Sequence, residues 1–499
     1  MISVYFGLFC VGAGCTVLLP LLVLPFYPAE CMYAWWYLYP GTAALAAGLL
    51  IAYAARTKLH KTGGELQSRL KIHQDSAVVL VGWLIAIAVS ALPFILSGTY
   101  TVTQAVFESV SGWTTTGLSI VDVDKAPHIL LMHRSIMLFF GGIGIILSVL
   151  FFLSGSGGLR LYTAEGHADM LAPDVGKSAR YITYIYAGYI AAGSILYRIA
   201  GMNWFDALNH SIAALSTGGF STHSENIGFF HSTTIEAVTV ILMLLGSTNF
   251  LVHFYLLTGR WKNVFLYCET KTAAVVLAFS IPFASFGIYR TLAPYAGHFG
   301  ASVRAAVFQT VSALTTTGFQ TVETFDGMHP SLILLLTVLM LIGGGSGSTA
   351  GGIKQYRLYT ACKDLYWTIR DSCTGRMTVH PHHIRSQSRI VSEEESGRRE
   401  VLSFIFIYMI CFLMGTGILS LYGNPIGNCM FEAASALGTV GLSCGIMTPG
   451  APAPVLWTGS VLMFLGRVEL YLAFFGSIRM LKDIRLQLRT VIPYKEGRI

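Results

Sequence analysis

One thirteen-residue phrase occurs four times along this chain. Phe107–Ser119 (FESVSGWTTTGLS), Asn209–Ser221 (NHSIAALSTGGFS), Phe308–Gln320 (FQTVSALTTTGFQ) and Phe431–Ser443 (FEAASALGTVGLS) align without gaps. The alignment puts Gly117, Gly219, Gly318 and Gly441 in register, with Thr115, Thr217, Thr316 and Thr439 two residues before them. Four similar units distributed over a whole chain constrain the fold more than any local propensity, and they predict packing around one pseudo-fourfold axis. Each copy opens on an apolar helical pattern and closes on small residues and glycine, as a short helix that stops abruptly would.

The flanking composition says where such units sit. Of 499 residues, 54% are hydrophobic and 11% charged, with a mean hydropathy of +0.62. A soluble chain would carry about a quarter charged residues. Charge-free runs recur at Ser76–Phe107, Ser135–Leu159, Ala237–Gly259, Gly327–Ile353, Val401–Phe431 and Ala433–Gly466. Each suffices to cross a bilayer, which takes roughly 20 apolar residues. The expected fold class is therefore an all-α polytopic membrane protein. Met1–Phe26 is apolar but has neither a basic flank nor a small-residue cleavage site, and reads as a retained span. The nine cysteines form no CxxC pair and read as packed thiols, although Cys429 and Cys444 could meet near the outer face.

With the N-terminus inside, 26 of the 32 Lys and Arg fall in segments 56–75, 154–180, 260–271, 354–400 and 479–499. This is the positive-inside pattern, with both termini cytoplasmic. The net charge of +7 is thus topological and points to no nucleic-acid partner. No Ser/His/Asp or zinc set falls inside the spans, so an enzyme is not expected. No span carries the arginine series of a voltage sensor.

The chain divides at the repeat. Residues 1–56 hold two lead-in spans without a copy of the phrase. Repeat 1 covers 57–180 with its re-entrant pore loop at 104–119, and repeat 2 covers 181–271 with its loop at 205–221. Repeat 3 covers 272–400 with its loop at 303–320, a glycine-rich stretch and a hydrophilic hairpin. Repeat 4 covers 401–499 with its loop at 429–443 and a basic amphipathic tail. Within each repeat one span leads outward and another returns, at His133–Phe152, Ala237–Leu257, Leu332–Ile353 and Val455–Ile478. The hairpin contains HPHH at His380–His383, where Pro381 breaks helical metal-ligand spacing, so a solvated turn is the expectation. The tail after Ile478 suits lipid head groups or a partner equally.

About 11 helical residues reach only halfway across the membrane, and backbone left unpaired there must face protein or water. A ring of backbone carbonyls can replace the hydration shell of an ion, and glycine permits the backbone angles that aim them. The half-helix ends its negative dipole toward that ring, favouring a cation. The preceding threonines can add hydroxyl oxygens. Glu108 and Glu432, nine residues before their glycines, read as supporting groups rather than ligands. Leu341–Lys354 (LIGGGSGSTAGGIK) carries six glycines, more than a helix tolerates. A kink is the plain reading, and an irregular loop lining the pore beneath the ring, able to block it, accounts better for its depth. Arg467 lies mid-span, where an arginine marks a pair or a pathway. It either pairs with Glu469 or meets the glycine-rich loop.

These phrases, together with GWLIAIAVSALPF at 82–94, GGGSGSTAGGIK at 343–354 and LGRVEL at 465–470, resemble the TrkH/KtrB/HKT superfamily of potassium transporters over nearly the whole chain. The lead-in pair is similar to the TrkH branch. The resemblance implies potassium uptake across a bacterial cytoplasmic (inner) membrane, with potassium bound at Thr115, Thr116, Gly117, Thr217, Gly218, Gly219, Thr316, Thr317, Gly318, Thr439, Val440 and Gly441. It implies a gate at Gly343, Gly344, Gly345, Gly347, Gly351, Gly352 and Arg467. It also implies a homodimer and a cytoplasmic TrkA-like nucleotide-binding regulatory subunit, with nucleotide only on that partner and no covalent cofactor. Glycine at 117, where sodium-selective plant relatives have serine, favours potassium. GSTNF at 246–250 departs from the expected second glycine. The competing expectation is a secondary transporter, coupled to protons or sodium, of potassium or another solute.

Overall fold

The computed structural model describes residues 2–61, 74–144, 175–291, 298–322, 324–325, 327–373, 383–386, 389–392, 395–468, 470–471, 473–474, 476–479 and 482. The first two helices, Ile2–Leu18 and Trp35–Lys61, pack closely through glycines spaced seven apart. Gly14 lies against the Gly41 carbonyl, and Gly48 against the Gly7 carbonyl and the Val11 amide. Without a hydrophobic driving force in lipid, such close backbone approach is what joins helices. In the turn between them, the Glu30 carboxylate accepts from the amides of His128 (2.9 Å) and Ile129 (3.0 Å). It thereby caps a helix whose own preceding residue, Pro127, offers no capping side chain.

Four repeats follow, each an outward helix, a half-helix and a return helix. The outward helices are Gln74–Leu96, Val175–Ile199, Cys268–Thr291 and Glu395–Ser420. The half-helices are Val102–Trp113, Trp204–Leu215, Phe299–Leu314 and Ile426–Leu437. The return helices are His128–Ile143, Thr233–Gly246, Pro330–Ile342 and Ala453–Arg467. Every half-helix packs on the outward and return helices of its own repeat. Each return helix also packs on the half-helix of the next repeat, and the fourth packs on the first, which closes the circle.

Three return helices stop partway along their expected spans, whereas in the fourth repeat helix resumes beyond Val468, at 470–471, 473–474 and 476–479. At 13 to 16 residues they cover only about 20–24 Å at 1.5 Å per residue, short of a roughly 30 Å hydrocarbon core. Gly144 and Gly343 adopt φ of +98° and +73°, which side chains disfavour. In repeat 2 the chain turns by 111° between Thr233–Gly246 and a second helix, Phe250–Leu257. The GSTNF departure is this corner. The Thr248 hydroxyl donates back to the Leu244 carbonyl, and the Asn249 side chain caps the new helix at Leu251 N, 2.8 Å away.

The hydrophilic end of repeat 3 begins with a helix, Gln355–Cys373, before the expected hairpin. The hairpin is a two-stranded antiparallel ribbon, His383–Ser386 against Arg389–Ser392, the strand structure among the described residues of an otherwise helical chain. His380–His382 of the HPHH sequence, Glu469 and most of the basic tail lie outside the described residues. Cys429 and Cys444 are each buried and unbridged.

Candidate functional site

The four phrase glycines meet at the axis in chain order. A methyl group built on Gly117 would strike the Gly218 carbonyl oxygen, and one on Gly219 the Thr317 oxygen. One on Gly318 would strike the Val440 oxygen, and one on Gly441 the Thr116 oxygen. Each glycine therefore nests against the carbonyl of the residue before its neighbour's glycine. Four such contacts, returning to the first, define a closed ring of backbone oxygens.

Amide bookkeeping explains which way those oxygens face. The Thr116 amide donates to the Ser111 carbonyl (2.9 Å), Gly218 to Ala213 (2.9 Å), Thr317 to Ser312 (3.0 Å) and Val440 to Ser435 (2.8 Å). The Gly117 and Gly441 amides donate to the Ser111 and Ser435 hydroxyls at 3.1 and 3.0 Å. Every one of these bonds points back into the half-helix. The Gly219 amide likewise donates to Ala213, at 3.4 Å. Across a trans peptide the preceding carbonyl points the opposite way, so the oxygens of Thr115, Thr116, Thr217, Gly218, Thr316, Thr439 and Val440 turn from the helices toward the axis.

The backbone reaches this shape at an unexpected residue. Thr115, Thr217, Thr316 and Thr439 all have φ of 52° or 53°. A β-branched residue in the left-handed region is strained, and strain of this kind persists only where surrounding contacts impose it. The glycines two residues on also have positive φ, between 61° and 99°. The residues between them keep negative φ, so the backbone alternates and successive carbonyls share one side. The threonine hydroxyls contribute less to the ring than the sequence suggests. Those of Thr116 and Thr317 pair with Thr114 (2.7 Å) and Thr315 (2.9 Å) behind the backbone.

A buried brace supports each half-helix nine residues before its glycine. Glu108 accepts from the Ser119 hydroxyl (2.9 Å), the Ile120 amide (3.0 Å) and Arg134 Nε (2.8 Å). Glu432 accepts from the Ser443 hydroxyl (2.5 Å) and the amides of Cys444 (3.0 Å) and Ile446 (3.1 Å). His210 Nε2 bonds Ser221 Oγ at 3.0 Å, and Gln309 donates to Thr321 Oγ1 at 3.3 Å. All four tie the half-helix to the segment leaving the ring. Arg134 spans two repeats, donating also to the Ser221 carbonyl at 3.3 Å and stacking 3.9 Å over Phe220. Sequence reasoning singled out the two glutamates. The signal for the rest was a polar residue at this register in all four copies.

Beneath the ring, Gly343–Lys354 forms an irregular loop rather than a kinked helix. Its axial limb takes up hydroxyls at the base of the ring. The Gly351 amide donates to Thr316 Oγ1 (2.9 Å), and Thr217 Oγ1 donates to Thr349 Oγ1 (3.1 Å). The hydroxyls of Thr115 and Thr439 are buried without a hydrogen-bond partner among the described residues. Arg467 meets this limb: it donates to the Thr349 carbonyl at 2.6 Å and to the carbonyls of Gly141 and Gly142. The Gly141 and Gly142 carbonyls lie at the C-terminus of the first return helix, whose dipole suits a cation. The outer limb is held by groups that sequence reasoning missed. The Gly345 amide donates to the Ser247 carbonyl (2.9 Å), Asn249 Nδ2 to the Ser346 carbonyl (2.5 Å), and the Ser346 amide to Glu269 Oε1 (2.7 Å). The cradle for Gly343, Gly344, Gly345, Gly347, Gly351 and Gly352 is tight, since a methyl on Gly344 would meet Ser247 Cβ at 3.1 Å and one on Gly347 would meet Asn249 Nδ2 at 3.0 Å.

Comparison with known proteins gives the family and the fold. The profile of the TrkH family, described as a cation transport protein, matches residues 42–288 and 297–480. An uncharacterized cation transporter of Methanocaldococcus jannaschii is 30% identical over 485 residues, covering 94% of each chain. The Trk system potassium uptake protein TrkH of Escherichia coli is 30% identical over 453 residues, covering 86% of this chain and 88% of its own. The crystal structure of the potassium transporter TrkH from Vibrio parahaemolyticus superposes with a TM-score of 0.79 at 25% identity, over 95% of this chain and 97% of that one. The chain belongs to the TrkH family of cation transport proteins.

Proposed function

We propose that this chain takes up potassium across a bacterial cytoplasmic membrane through the axial ring, with N- and C-termini on the cytoplasmic side. The observation that carries the reading is the ring itself, four glycines each seated on a neighbour's carbonyl. Neutral oxygens in a ring substitute for a hydration shell without trapping the ion as a carboxylate would. Thr115–Gly117, Thr217–Gly219, Thr316–Gly318 and Thr439–Gly441 are the ion-binding segments in this reading. The relatives named for potassium uptake support the choice of ion.

The loop Gly343–Gly352 with Arg467 is the gate of this reading, supported by Thr349 and Gly351 binding the threonines under the ring. The Trk system naming of its relatives supports work with other Trk components; we propose that these include a cytoplasmic TrkA-like nucleotide-binding regulatory subunit, engaged by a homodimer of this chain. The test is flux in liposomes holding the purified full chain. Potassium and rubidium are expected to pass well above sodium and lithium, and equal sodium and potassium fluxes would overturn the reading. Repeating the assay with imposed proton and sodium gradients separates passive conduction from coupled transport.

A further inference from the structure

The corner in repeat 2 opens an excursion that leaves the gating loop and comes back to it. It begins at Asn249 and Phe250, which bond Ser346 and Gly347: Asn249 Nδ2 donates to the Ser346 carbonyl, and the Phe250 amide donates to the Gly347 carbonyl at 3.2 Å. It ends at Glu269, whose carboxylate accepts from the Ser346 amide. Between these grips lie two short helices, Phe250–Leu257 and Trp261–Leu266. They close on a small core of Val252, Val264 and Tyr267. The excursion is therefore a packed arm attached at both ends to the same two or three loop residues.

The arm lies at one membrane surface. The outward helix that follows, Cys268–Thr291, has 24 residues and so spans about 36 Å, which sets Cys268 at the interface. The turn of 111° carries Phe250–Leu257 away from the spanning direction. Leu257, Trp261 and Phe265 are 64%, 58% and 67% exposed. Arg260 and Lys262 stand exposed among them, and neither has an ion-pair partner among the described residues. Residues 249–268 contain these two bases and no acid. Exposed aromatic and aliphatic groups beside unpaired cations match an anionic lipid surface, with rings at the headgroup level and charges on phosphate.

We propose that this arm binds anionic headgroups of the inner leaflet and that this binding sets the position of the gating loop. The proposal rests on the gate reading above. Lipid contact acts through Asn249, Phe250 and Glu269 on Ser346 and Gly347, opposite the limb held by Arg467.

The test compares the full chain in vesicles of phosphatidylcholine alone and in vesicles containing phosphatidylglycerol. Two surface charges alter occupancy of an anionic surface by about thirtyfold, so the rubidium flux is expected to differ between the two compositions by about threefold or more. In the R260Q/K262Q variant the ratio should fall toward one. Flux insensitive to phosphatidylglycerol overturns the proposal. So does a variant that loses only its response to an added cytoplasmic regulatory subunit, because the arm then docks protein. Should the variant fail to fold, brominated phosphatidylglycerol must quench the tryptophan emission of the wild type more than that of W261F, and equal quenching overturns lipid contact. Arg467→Gln in phosphatidylcholine vesicles tests the gate separately. Raised leak there without any lipid response sinks the arm alone, whereas quenching with no leak sinks the gate.

Discussion

Arg467 donates to the backbone oxygen of Thr349 at 2.6 Å, joining the last return helix to the loop that interrupts the third. The same guanidinium reaches the carbonyls of Gly141 and Gly142 at the end of the first return helix. One side chain thus connects three repeats beneath the ring.

Replacing Arg467 with glutamine should loosen the loop. Hydrogen bonds to a charged group contribute about 1.5–3 kcal/mol each, and losing them shifts the loop's equilibrium enough to raise unregulated flux about tenfold. Deleting part of Gly343–Gly352 should act in the same direction. Rubidium efflux from liposomes measures this, and unchanged or lower flux in both variants counts against the gate.

Serine at Gly117 or Gly318 should erode discrimination between potassium and sodium. Both glycines have positive φ, of 90° and 82°, and both sit on a neighbour's carbonyl oxygen with no room for a side chain. The substituent must push that oxygen off the axis. A tenfold loss in the potassium-to-sodium flux ratio, about 1.4 kcal/mol, is the expected scale. Full retention of the ratio in both variants would mean that the ring does not select.

The braces at the two glutamates should respond differently to the same change. Glu108 holds Arg134 at 2.8 Å, both almost wholly buried. Glu432 is bonded to a hydroxyl and two amides, with no cation among its described partners. Breaking a buried ion pair by neutralising one member costs about 3–5 kcal/mol, so Glu108→Gln should lower the midpoint of thermal unfolding in detergent sharply. Glu432→Gln keeps an acceptor oxygen in place and should lower it much less. Equal effects would show that Arg134 finds another partner.

The repeat, the half-helices and the glycine positions were legible because each follows from periodicity and from residues that break it. Ring closure was expected from four copies, yet which carbonyl each glycine meets depends on contacts between residues far apart in the chain, such as Gly117 with Gly218 and Gly441 with Thr116. The left-handed threonines could not be read locally, because β-branched residues avoid that conformation and only the ring imposes it. The corner at Gly246–Phe250 carried a sign in hindsight: Ser247, Thr248 and Asn249 before an apolar run form a capping pattern. The sequence lacked the glycine expected there, and the corner is made by side-chain caps instead. The grip of Glu269 on Ser346 spans 77 residues and left no mark in either segment.

The return helices offer a case where propensity and packing give opposite signs. Gly141, Gly246 and Gly466 lie within helices, where alanine would ordinarily stabilise by about 1 kcal/mol. Each, however, rests on a carbonyl at the end of its own half-helix, at Trp113, Leu215 and Leu437 respectively, where a methyl group does not fit. Overpacking against fixed backbone costs about 1–3 kcal/mol, so packing should win. Gly466→Ala is expected to lower the unfolding midpoint and to disturb selectivity, because the Leu437 carbonyl it displaces lies two residues before Thr439. Gly188 supplies the control, since it sits in the helix Val175–Ile199 with open space where a methyl would go. Gly188→Ala should leave the midpoint unchanged or raise it. If both alanines raise the midpoint, propensity decides and the return helices do not press on the ring.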